Sequence, residues 1–317
     1  MRAAVVGAGA WGTAFACVLA ARGHDVTLAT RDPEQAREIE KTGRNPRYLP
    51  NVDLEGVAAT TVDDPSLAGF DLHVVAVPSR AFAEVVHSLP GAAPVLSLTK
   101  GLDPESGGRL SQLVARRGFA VLSGPNFAEE IADGLPAAAV IASSDARLAE
   151  ELQQAVNSLA FRVYVNEDLV GVELCAAAKN VIALAAGGVD GLRLGDNAKA
   201  ALIARGLAEM ARLGEACGAR AETFSGLAGM GDLIVTCWSR LGRNRHAGEL
   251  IAQGASPDEA AAQIGTVEGL TTAPVLRDLS HRVGIELPIT EGVCQVLDGQ
   301  DLNDLAAKLM GRQPTRE

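Results

Sequence analysis

The 317-residue chain has few aromatic residues and fewer basic than acidic residues. Phe, Trp and Tyr together make up 3% of it, and the formal net charge is -11. Nucleic acids and anionic membranes usually bind clustered Lys and Arg, so this charge argues against either one as the main partner. The composition still allows an anionic small-molecule ligand, provided that Lys or Arg residues are clustered at its binding site.

The sequence also lacks paired cysteines and metal-binding spacings. Its five cysteines are scattered, with no C-x-x-C pair: Cys17, Cys175, Cys217, Cys237 and Cys294. This pattern predicts buried thiols in a reducing compartment, neither disulfides nor zinc ligands. The histidines show no metal-ligand spacing either: His24, His73, His87, His246 and His281. We therefore expect neither a metal nor a covalent mechanism.

What the chain has is the composition of a folded globular protein, with 48% hydrophobic and 21% charged residues. Its length allows two domains. An uncharged run from Ala3 to Ala21 follows Arg2 and has two interpretations. A signal peptide or membrane segment would begin in this way. Three glycines interrupt the run, however, and they fit the G-x-G-x-x-G motif of a dinucleotide site better.

The residues around this motif favour the nucleotide interpretation. Residues 3–6 read as a buried strand, the following segment has helical spacing, and residues 25–30 read as a second strand. In such a βαβ unit, Gly7 would permit the tight turn and Gly9 would let the backbone approach a pyrophosphate. Gly12 would let the helix pack closely on the strand.

The end of the second strand indicates which coenzyme is used. The N-terminus of the first helix, at Trp11, would bind the phosphates. Arg31, directly after the strand, favours the 2′-phosphate of NADPH, although it could also be an ordinary solvated side chain. Asp32 could instead hold the ribose 2′-hydroxyl of NADH if the strand were one residue longer.

Further apolar runs separated by helical segments predict a Rossmann-type, doubly wound and mainly parallel sheet. The runs are 57–61, 71–78, 93–100, 119–125, 137–143 and 161–165. Ligands of such sheets gather at the carboxyl ends of the strands. These ends lie at Pro78 and Ser79, at Lys100 and Gly101, and at 124–126.

From Glu167 onward the pattern becomes helical. Predicted helices span 167–186, 197–217, 246–253, 257–263, 270–282 and 301–309. We therefore predict a dinucleotide-binding domain over residues 1–166 and an all-helical substrate domain over residues 167–317. The active site is expected in the cleft between them.

Three segments of the second half carry candidate chemistry. Lys179 lies on an apolar stripe of a predicted helix, where desolvation would lower its pKa and suit it to proton transfer, unless it reaches solvent at the helix edge. Asp232 follows a glycine-rich segment and could cap a helix or hydrogen-bond Lys179 or a substrate hydroxyl. The basic segment 240–246, with Arg243 and Asn244, suits phosphate binding but could be a solvated helix start.

Taken together, these segments closely resemble the bacterial NAD(P)-dependent sn-glycerol-3-phosphate dehydrogenase family. The resemblance covers nearly the whole chain, in order. Its motifs are GAGAWGTA (7–14), LTKGL (98–102), SGPNFAEEIADGLP (123–136), the segment 161–192, RGLAEMARLGEACGA (205–219), TFSGLAGMGDLIVTC (223–237), GRNRHAG (242–248), VEGLTTA (267–273) and LPITEGV (287–293).

The resemblance implies reversible reduction of dihydroxyacetone phosphate by NADPH or NADH, for phospholipid synthesis in the cytoplasm, by a homodimer. It makes Lys179 the catalytic acid and base. The implied substrate site consists of Lys100, Gly124, Asn126, Asp232, Arg243 and Asn244. The implied dinucleotide contacts, besides the three glycines, are Ala10, Trp11, Arg31, Lys100, Ala128, Arg243 and Glu268.

Three positions depart from the family pattern. Asn126 stands where Ser or Thr is usual, Gly242 replaces a usual Ser, and Thr266 replaces an apolar residue. These changes would affect substrate or cofactor binding.

Two alternative functions remain. The related β-hydroxyacid dehydrogenases place Asn four residues after their catalytic Lys, where this chain has Ala183; a dinucleotide-binding sensor would lack catalysis.

Overall fold

The computed structural model describes residues 1–114 and 117–303 of the chain. Its first part contains one eight-stranded sheet. The strands are Arg2–Val6 (β1), Asp25–Thr30 (β2), Val57–Thr61 (β3), Leu72–Val75 (β4), Val95–Ser97 (β5), Phe119–Ser123 (β6), Ala137–Ala142 (β7) and Phe161–Asn166 (β8). Each strand coincides with one of the apolar runs, although β4 and β5 are shorter than the runs that contain them.

The strand order confirms a doubly wound, mainly parallel sheet. It is β3-β2-β1-β4-β5-β6-β7-β8, and only β6 and β7 pair antiparallel. The chain winds outward in one direction from β1 to β3 and then restarts on the other side of β1 with β4. Sheets of this kind bind ligands in the crevice at such a reversal, outside the carboxyl ends of the strands.

Helices alternate with the strands in the first part and make up the second. Those of the first part are Ala10–Ala21 (α1), Pro33–Thr42 (α2), Ser79–Ser88 (α3), Ala128–Ala132 (α4) and Ala146–Val156 (α5). Those of the second are Leu169–Gly191 (α6), Asp196–Ala216 (α7), Ala221–Ser225 (α8), Asp232–Trp238 (α9), Arg243–Ala252 (α10), Pro257–Ile264 (α11), Glu268–Val283 (α12) and Pro288–Leu297 (α13). Within residues 167–303, the structure contains no strand.

The uncharged run near the start of the chain forms β1, the following loop and α1. Residues 3–6 are fully buried in the middle of the sheet, between β2 and β4. Helix α1 buries half of its residues, among them Phe15 and Leu19, which belong to the same core. The strand–loop–helix interpretation is therefore correct, and the run is neither a signal peptide nor a membrane segment.

Most of the helix predictions agree with the structure. The predicted helices 167–186, 197–217, 246–253, 257–263 and 270–282 correspond to α6, α7, α10, α11 and α12. The predicted helix 301–309 lies mostly outside the described residues. Helix α13 was not predicted, because Ile289, Thr290, Gly292 and Val293 all have low helix propensity. The buried Glu209 carboxylate fixes its first turn by accepting hydrogen bonds from the Ile289 and Thr290 amides at 2.7 and 3.4 Å.

Helix α6 is the centre of the helical part. Among the described residues it alone is long and apolar enough to cross a membrane, but 83% of its most apolar window is buried inside the protein. Helices α7, α9, α10, α12 and α13 all pack on it. An apolar helix covered in this way forms the core of its part of the protein.

The backbones of α6 and α10 are in direct contact. A Cβ at Gly187 of α6 would lie within 2 Å of the Arg245 carbonyl oxygen, and a Cβ at Gly248 of α10 would lie within 2 Å of the Leu184 oxygen. Side chains at these positions would force the helices apart. The crossing therefore fixes the first turn of α10 beside the middle of α6, which carries Lys179.

The neighbouring glycines of α6 test this crossing. Gly187→Ala should destabilise the protein by about 1–3 kcal/mol, because the added methyl meets backbone atoms. Gly188→Ala is the matched control, since its methyl would meet only the Leu302 side chain, 3.2 Å away. Because Ala has a higher helix propensity than Gly, Gly188→Ala should stabilise the fold by up to about 1 kcal/mol. Urea unfolding measures both variants, and equal stabilities would contradict the close crossing.

Candidate active site

The loop between β1 and α1 has the shape that a dinucleotide phosphate requires. Gly7 has a φ of +113°, and a Cβ there would lie 2.4 Å from the Ala76 oxygen. A Cβ at Gly12 would meet the Gly7 oxygen. A Cβ at Gly9, in contrast, would meet no atom of the described residues within 4 Å. The backbone at Gly9 therefore faces open space at the N-terminus of α1, where a pyrophosphate would fit.

Two further predicted cofactor residues begin α1. Ala10 is its first residue, and Trp11 packs edge-on against Phe15 and Phe161, with ring centroids 5.6 and 6.4 Å away. The Trp11 Nε1 atom is buried and makes no hydrogen bond within the described residues. Ala128 begins α4 and is buried in the core cluster on which Trp11 packs.

Arg31 and Asp32 follow the end of β2 but have different surroundings. Arg31 is exposed, and in residues 1–114 and 117–303 its guanidinium makes no hydrogen bond or ion pair. Asp32 caps α2 by accepting a hydrogen bond from the Glu34 amide at 2.9 Å, and it forms an ion pair with Arg47. These contacts hold the pKa of Asp32 below its usual range.

A cluster of three charged side chains joins the sheet to the helical part. Lys100 follows β5, Lys179 lies in the middle of α6, and Asp232 begins α9. The Lys179 Nζ donates to Asp232 Oδ1 at 2.5 Å, and the Lys100 Nζ donates to Asp232 Oδ2 at 3.0 Å. Lys179 also donates to Thr236 Oγ1 at 3.0 Å, and Ser123 donates to Asp232 at 3.3 Å.

These contacts decide between the alternatives left open for Lys179 and Asp232. Lys179 is 4% exposed and does not reach solvent at the helix edge. Asp232 is 1% exposed and accepts hydrogen bonds from both lysines, and no side chain caps α9. The carboxylate therefore serves as the shared counter-ion of two ammonium groups.

Burial and mutual repulsion change the acidity of this cluster. Burial lowers the pKa of Lys179 to about 7; the Asp232 charge opposes this shift and the Lys100 charge adds to it. Burial alone would raise the pKa of Asp232, but the two ammonium groups outweigh it and lower that pKa. The cluster thus contains an ionised carboxylate and an amine that can give up or take up a proton near neutral pH.

The segment after β6 completes the surroundings of Lys100. The Lys100 Nζ donates to the Gly124 carbonyl at 3.2 Å and to Asn126 Oδ1 at 2.9 Å. Asn126 is 8% exposed, and its Nδ2 has no hydrogen-bond partner within the described residues. Of the three departures from the family pattern, Asn126 thus places a free donor beside Lys100. At Gly242, a side chain would approach the Thr236 oxygen to 2.6 Å.

The basic segment divides into two groups. Arg243 begins α10 and is exposed, while the Arg245 Nε binds Asp190 at 2.6 Å on the other side of the helix. Asn244 is buried: its Nδ2 donates to Asn180 Oδ1 at 2.9 Å, and its Oδ1 accepts from the Gly269 amide at 2.8 Å. Within this segment, Arg243 and Asn244 therefore remain the candidates for phosphate binding.

Glu268 connects the helical part to the sheet at a second point. It begins α12, and its carboxylate accepts hydrogen bonds from the Ser79 amide at 3.1 Å and the Ser79 hydroxyl at 2.6 Å. Burial raises the pKa of Glu268, opposed by these hydrogen bonds and by the charge of Arg243. Glu268 and Arg243 therefore lie near each other, beside the carboxyl end of β4.

Three site residues were not predicted from the sequence: Ser79, Asn180 and Thr236. The sequence marks Ser79 only as the end of a strand, and it gives no signal for Asn180. Thr236 had a signal, because it lies four residues after Asp232 and shares its helix face. Of the residues predicted for the substrate, Gly124, Asn126 and Asp232 contact Lys100, and Asp232 also contacts Lys179. Asn244 hydrogen-bonds Asn180, the residue after Lys179. Among the described residues, no group of three His, Cys, Asp or Glu side chains could hold a metal.

Comparison with known proteins matches both parts of the chain. Residues 2–149 match the sequence model of the N-terminus of NAD-dependent glycerol-3-phosphate dehydrogenase, and residues 168–307 match that of its C-terminus. The chain is 47% identical to glycerol-3-phosphate dehydrogenase [NAD(P)+] of Moorella thermoacetica, over 99% of this chain and 97% of that protein. It is 46% identical to the enzyme of the same name from Halorhodospira halophila, over 99% and 98%.

A solved structure agrees with these sequence relatives. The crystal structure of glycerol-3-phosphate dehydrogenase from Coxiella burnetii superposes with a TM-score of 0.94 at 39% identity. The match covers 98% of this chain and 99% of that one. With both halves matched in order and the fold shared throughout, this chain belongs to the NAD-dependent glycerol-3-phosphate dehydrogenase family.

Proposed function

We propose that this protein is an NAD(P)-dependent glycerol-3-phosphate dehydrogenase, which reversibly reduces dihydroxyacetone phosphate to sn-glycerol 3-phosphate. The observation that carries the proposal is the buried ammonium of Lys179, held 2.5 Å from Asp232 where the helical part meets the carboxyl edge of the sheet. Relatives of this name match over the full length of the chain. The nucleotide loop at Gly9 opens at the same edge.

Lys179 acts as the general acid and base. When bound, the reduced nicotinamide supplies a hydride to the substrate carbonyl carbon. Lys179 donates a proton to the carbonyl oxygen, and it accepts that proton in the reverse direction. Its low pKa supports this role, because an amine that titrates near pH 7 exchanges protons in both directions. Asp232 orients the ammonium and stabilises its charge.

Other side chains hold the substrate around this proton donor. Lys100 and the Asn126 Nδ2 supply donors for the substrate oxygens, supported by the absence of another partner for that amide among the described residues. Arg243, at the N-terminus of α10, binds the substrate phosphate. Asn244 supports it through its hydrogen bonds to α6 and α12. Binding of the phosphate then orients the carbonyl for reaction.

The loop after β1, at the carboxyl edge of the sheet, would hold the dinucleotide. Gly7, Gly9 and Gly12 shape the loop for its pyrophosphate, and Arg31 binds the 2′-phosphate of NADPH. The family resemblance assigns further dinucleotide contacts to Ala10, Trp11, Lys100, Ala128, Arg243 and Glu268. The protein thus accepts NADPH and NADH, with NADPH favoured by Arg31.

The proposal extends to the biology of the enzyme. Residues 1–166 form the dinucleotide-binding domain and residues 167–317 the helical substrate domain, with the active site in the cleft between them. The product, sn-glycerol 3-phosphate, supplies the backbone of glycerophospholipids. A cytoplasmic homodimer is the expected form, because its substrates are soluble and the family resemblance implies two subunits.

Lys179→Ala tests the proton donor. We expect turnover of dihydroxyacetone phosphate with NADPH to fall by about 10²–10⁴-fold while coenzyme affinity changes little. Lys199→Met is the matched control, because Lys199 is also 4% exposed but pairs with Asp190, away from the cluster. That variant should keep most of its turnover once folded. Thermal unfolding identifies any loss of folded protein, and near-normal turnover in Lys179→Ala would remove this residue from the mechanism.

The pH dependence should have opposite signs in the two directions. Reduction needs protonated Lys179, so its kcat/KM should fall about tenfold per pH unit above pH 7. Oxidation of sn-glycerol 3-phosphate needs the neutral amine, so its kcat/KM should rise as pH increases toward 7 and then level off. Initial rates between pH 6 and 9 measure both. Lys199→Met should keep the same profiles, and parallel changes in the two directions would contradict the assignment.

A dinucleotide-binding sensor is distinguished by the same measurements. It would bind NADPH or NADH, as calorimetry detects, without oxidising either coenzyme in the presence of dihydroxyacetone phosphate. Coenzyme binding with no turnover in the unmodified protein would therefore overturn the proposed activity.

A further inference from the structure

A turn of residues 45–48 is tied directly to the nucleotide loop. The Asn45 side chain is fully buried, and its Nδ2 donates to the Ala8 carbonyl at 3.0 Å and to Thr13 Oγ1 at 2.8 Å. Its Oδ1 accepts hydrogen bonds from the Arg47 and Tyr48 amides, both at 3.3 Å. Arg47 is therefore carried on a backbone whose position is set by the loop that precedes α1.

Gln35 connects the same turn to the end of β2. Its Nε2 donates to the Ala8 carbonyl at 3.0 Å and to Asn45 Oδ1 at 3.1 Å, and its Oε1 accepts from the Thr30 hydroxyl at 2.7 Å. These polar groups are buried and mutually satisfied, an arrangement that rigidifies a structure. The turn thus has a fixed position beside the end of β2, where dinucleotide sites bind the adenosine ribose.

At this position Arg47 pairs with Asp32. The Arg47 Nη1 lies 2.5 Å from Asp32 Oδ2, and the two side chains are 53% and 29% exposed. Arg31 lies next to Asp32 in the chain, exposed and with no ion pair in the described part of the protein. The group has two guanidinium ions and one carboxylate, so its net charge is positive. Exposed ion pairs are worth about 1 kcal/mol or less, so a ligand anion can compete for Arg47.

We propose that Arg47 is a specificity-determining residue that screens Asp32 and, together with Arg31, binds the coenzyme 2′-phosphate. An ionised Asp32 alone would repel this phosphate, and it would favour the 2′-hydroxyl of NADH. Paired with Arg47, the carboxylate is neutralised, and the second guanidinium supplies a planar set of donors suited to phosphate oxygens. The Arg47–Asp32 pair therefore lets one site accept both coenzymes. The inference rests on the proposed function only for dinucleotide binding.

The test compares two adenosine fragments that differ only at the ribose 2′ position. Calorimetry measures binding of adenosine 2′,5′-bisphosphate and of 5′-AMP to the full chain. Arg47→Gln should weaken binding of the bisphosphate at least tenfold and change binding of 5′-AMP less than threefold. Asp32→Asn, which keeps a side chain able to cap α2, should tighten binding of the bisphosphate. NADP⁺ and NAD⁺ should follow the bisphosphate and 5′-AMP, respectively.

Arg44→Gln is the matched control. Arg44 lies on the same connection, is 51% exposed, and pairs with Asp53 at 2.7 Å. Its loss removes the same charge at similar exposure but away from Asp32, so both fragments should bind as before. If Arg44→Gln and Arg47→Gln weakened bisphosphate binding equally, the loss would come from the change in net charge and not from the position of Arg47. This result would overturn the proposal. An equal loss of both fragments in Arg47→Gln, or no 2′-phosphate preference in the unmodified protein, would also overturn it.

These binding measurements are independent of the proposed reaction. Normal fragment selectivity in a protein that does not oxidise NADPH would contradict the dehydrogenase function and leave the role of Arg47 standing. Normal turnover together with unchanged fragment selectivity in Arg47→Gln would contradict the role of Arg47 and leave the dehydrogenase function standing.

Discussion

One buried carboxylate, that of Asp232, is the counter-ion of two lysine ammonium groups from different parts of the chain. Charges are costly to bury, and removing one partner of such a group costs about 3–5 kcal/mol, because the remaining charge is left uncompensated. Lys100 comes from the end of a strand, while Lys179 and Asp232 come from two helices. The cluster therefore exists only when the helical part is docked on the sheet. Burial, opposed by the charge of Asp232 and aided by that of Lys100, lowers the pKa of Lys179 to about 7.

The other site residues follow from the same docking. Glu268 extends from the start of α12 to Ser79 at the start of α3, so a second polar link lies beside the ionic one. Asn244 joins α10 to α6 and α12 through its side-chain amide. Each link satisfies a buried polar group with a partner from another element, which fixes side-chain positions to the accuracy that proton transfer needs.

Much of this arrangement could be predicted from local sequence. The glycines at 7, 9 and 12 occur between a strand and a helix, and Lys179 lies on the apolar stripe of α6, although the sequence left open whether it is buried or reaches solvent. Local patterns failed where long-range packing decides. Helix α13 is rich in β-branched residues yet helical, because Glu209 and the helical core hold it. The ion pair of Arg245 with Asp190 of α6 likewise cannot be read from the basic segment itself. Arg47 pairs with Asp32, which begins another helix, and Ser79 hydrogen-bonds Glu268, which lies far away in the sequence. Local patterns do not reveal either contact.

The direct backbone contact between α6 and α10 has a mechanical consequence for turnover. The backbones touch at Gly187 and Gly248, and the Asn244 side chain hydrogen-bonds Asn180 beside this contact, so α6 and α10, which carry Lys179 and Arg243, pack as one body. If the cleft widens to admit substrate or release product, the moving boundary must run between this body and the nucleotide half. A triose held by its phosphate would then travel with its proton source, and only its distance to the nicotinamide would change.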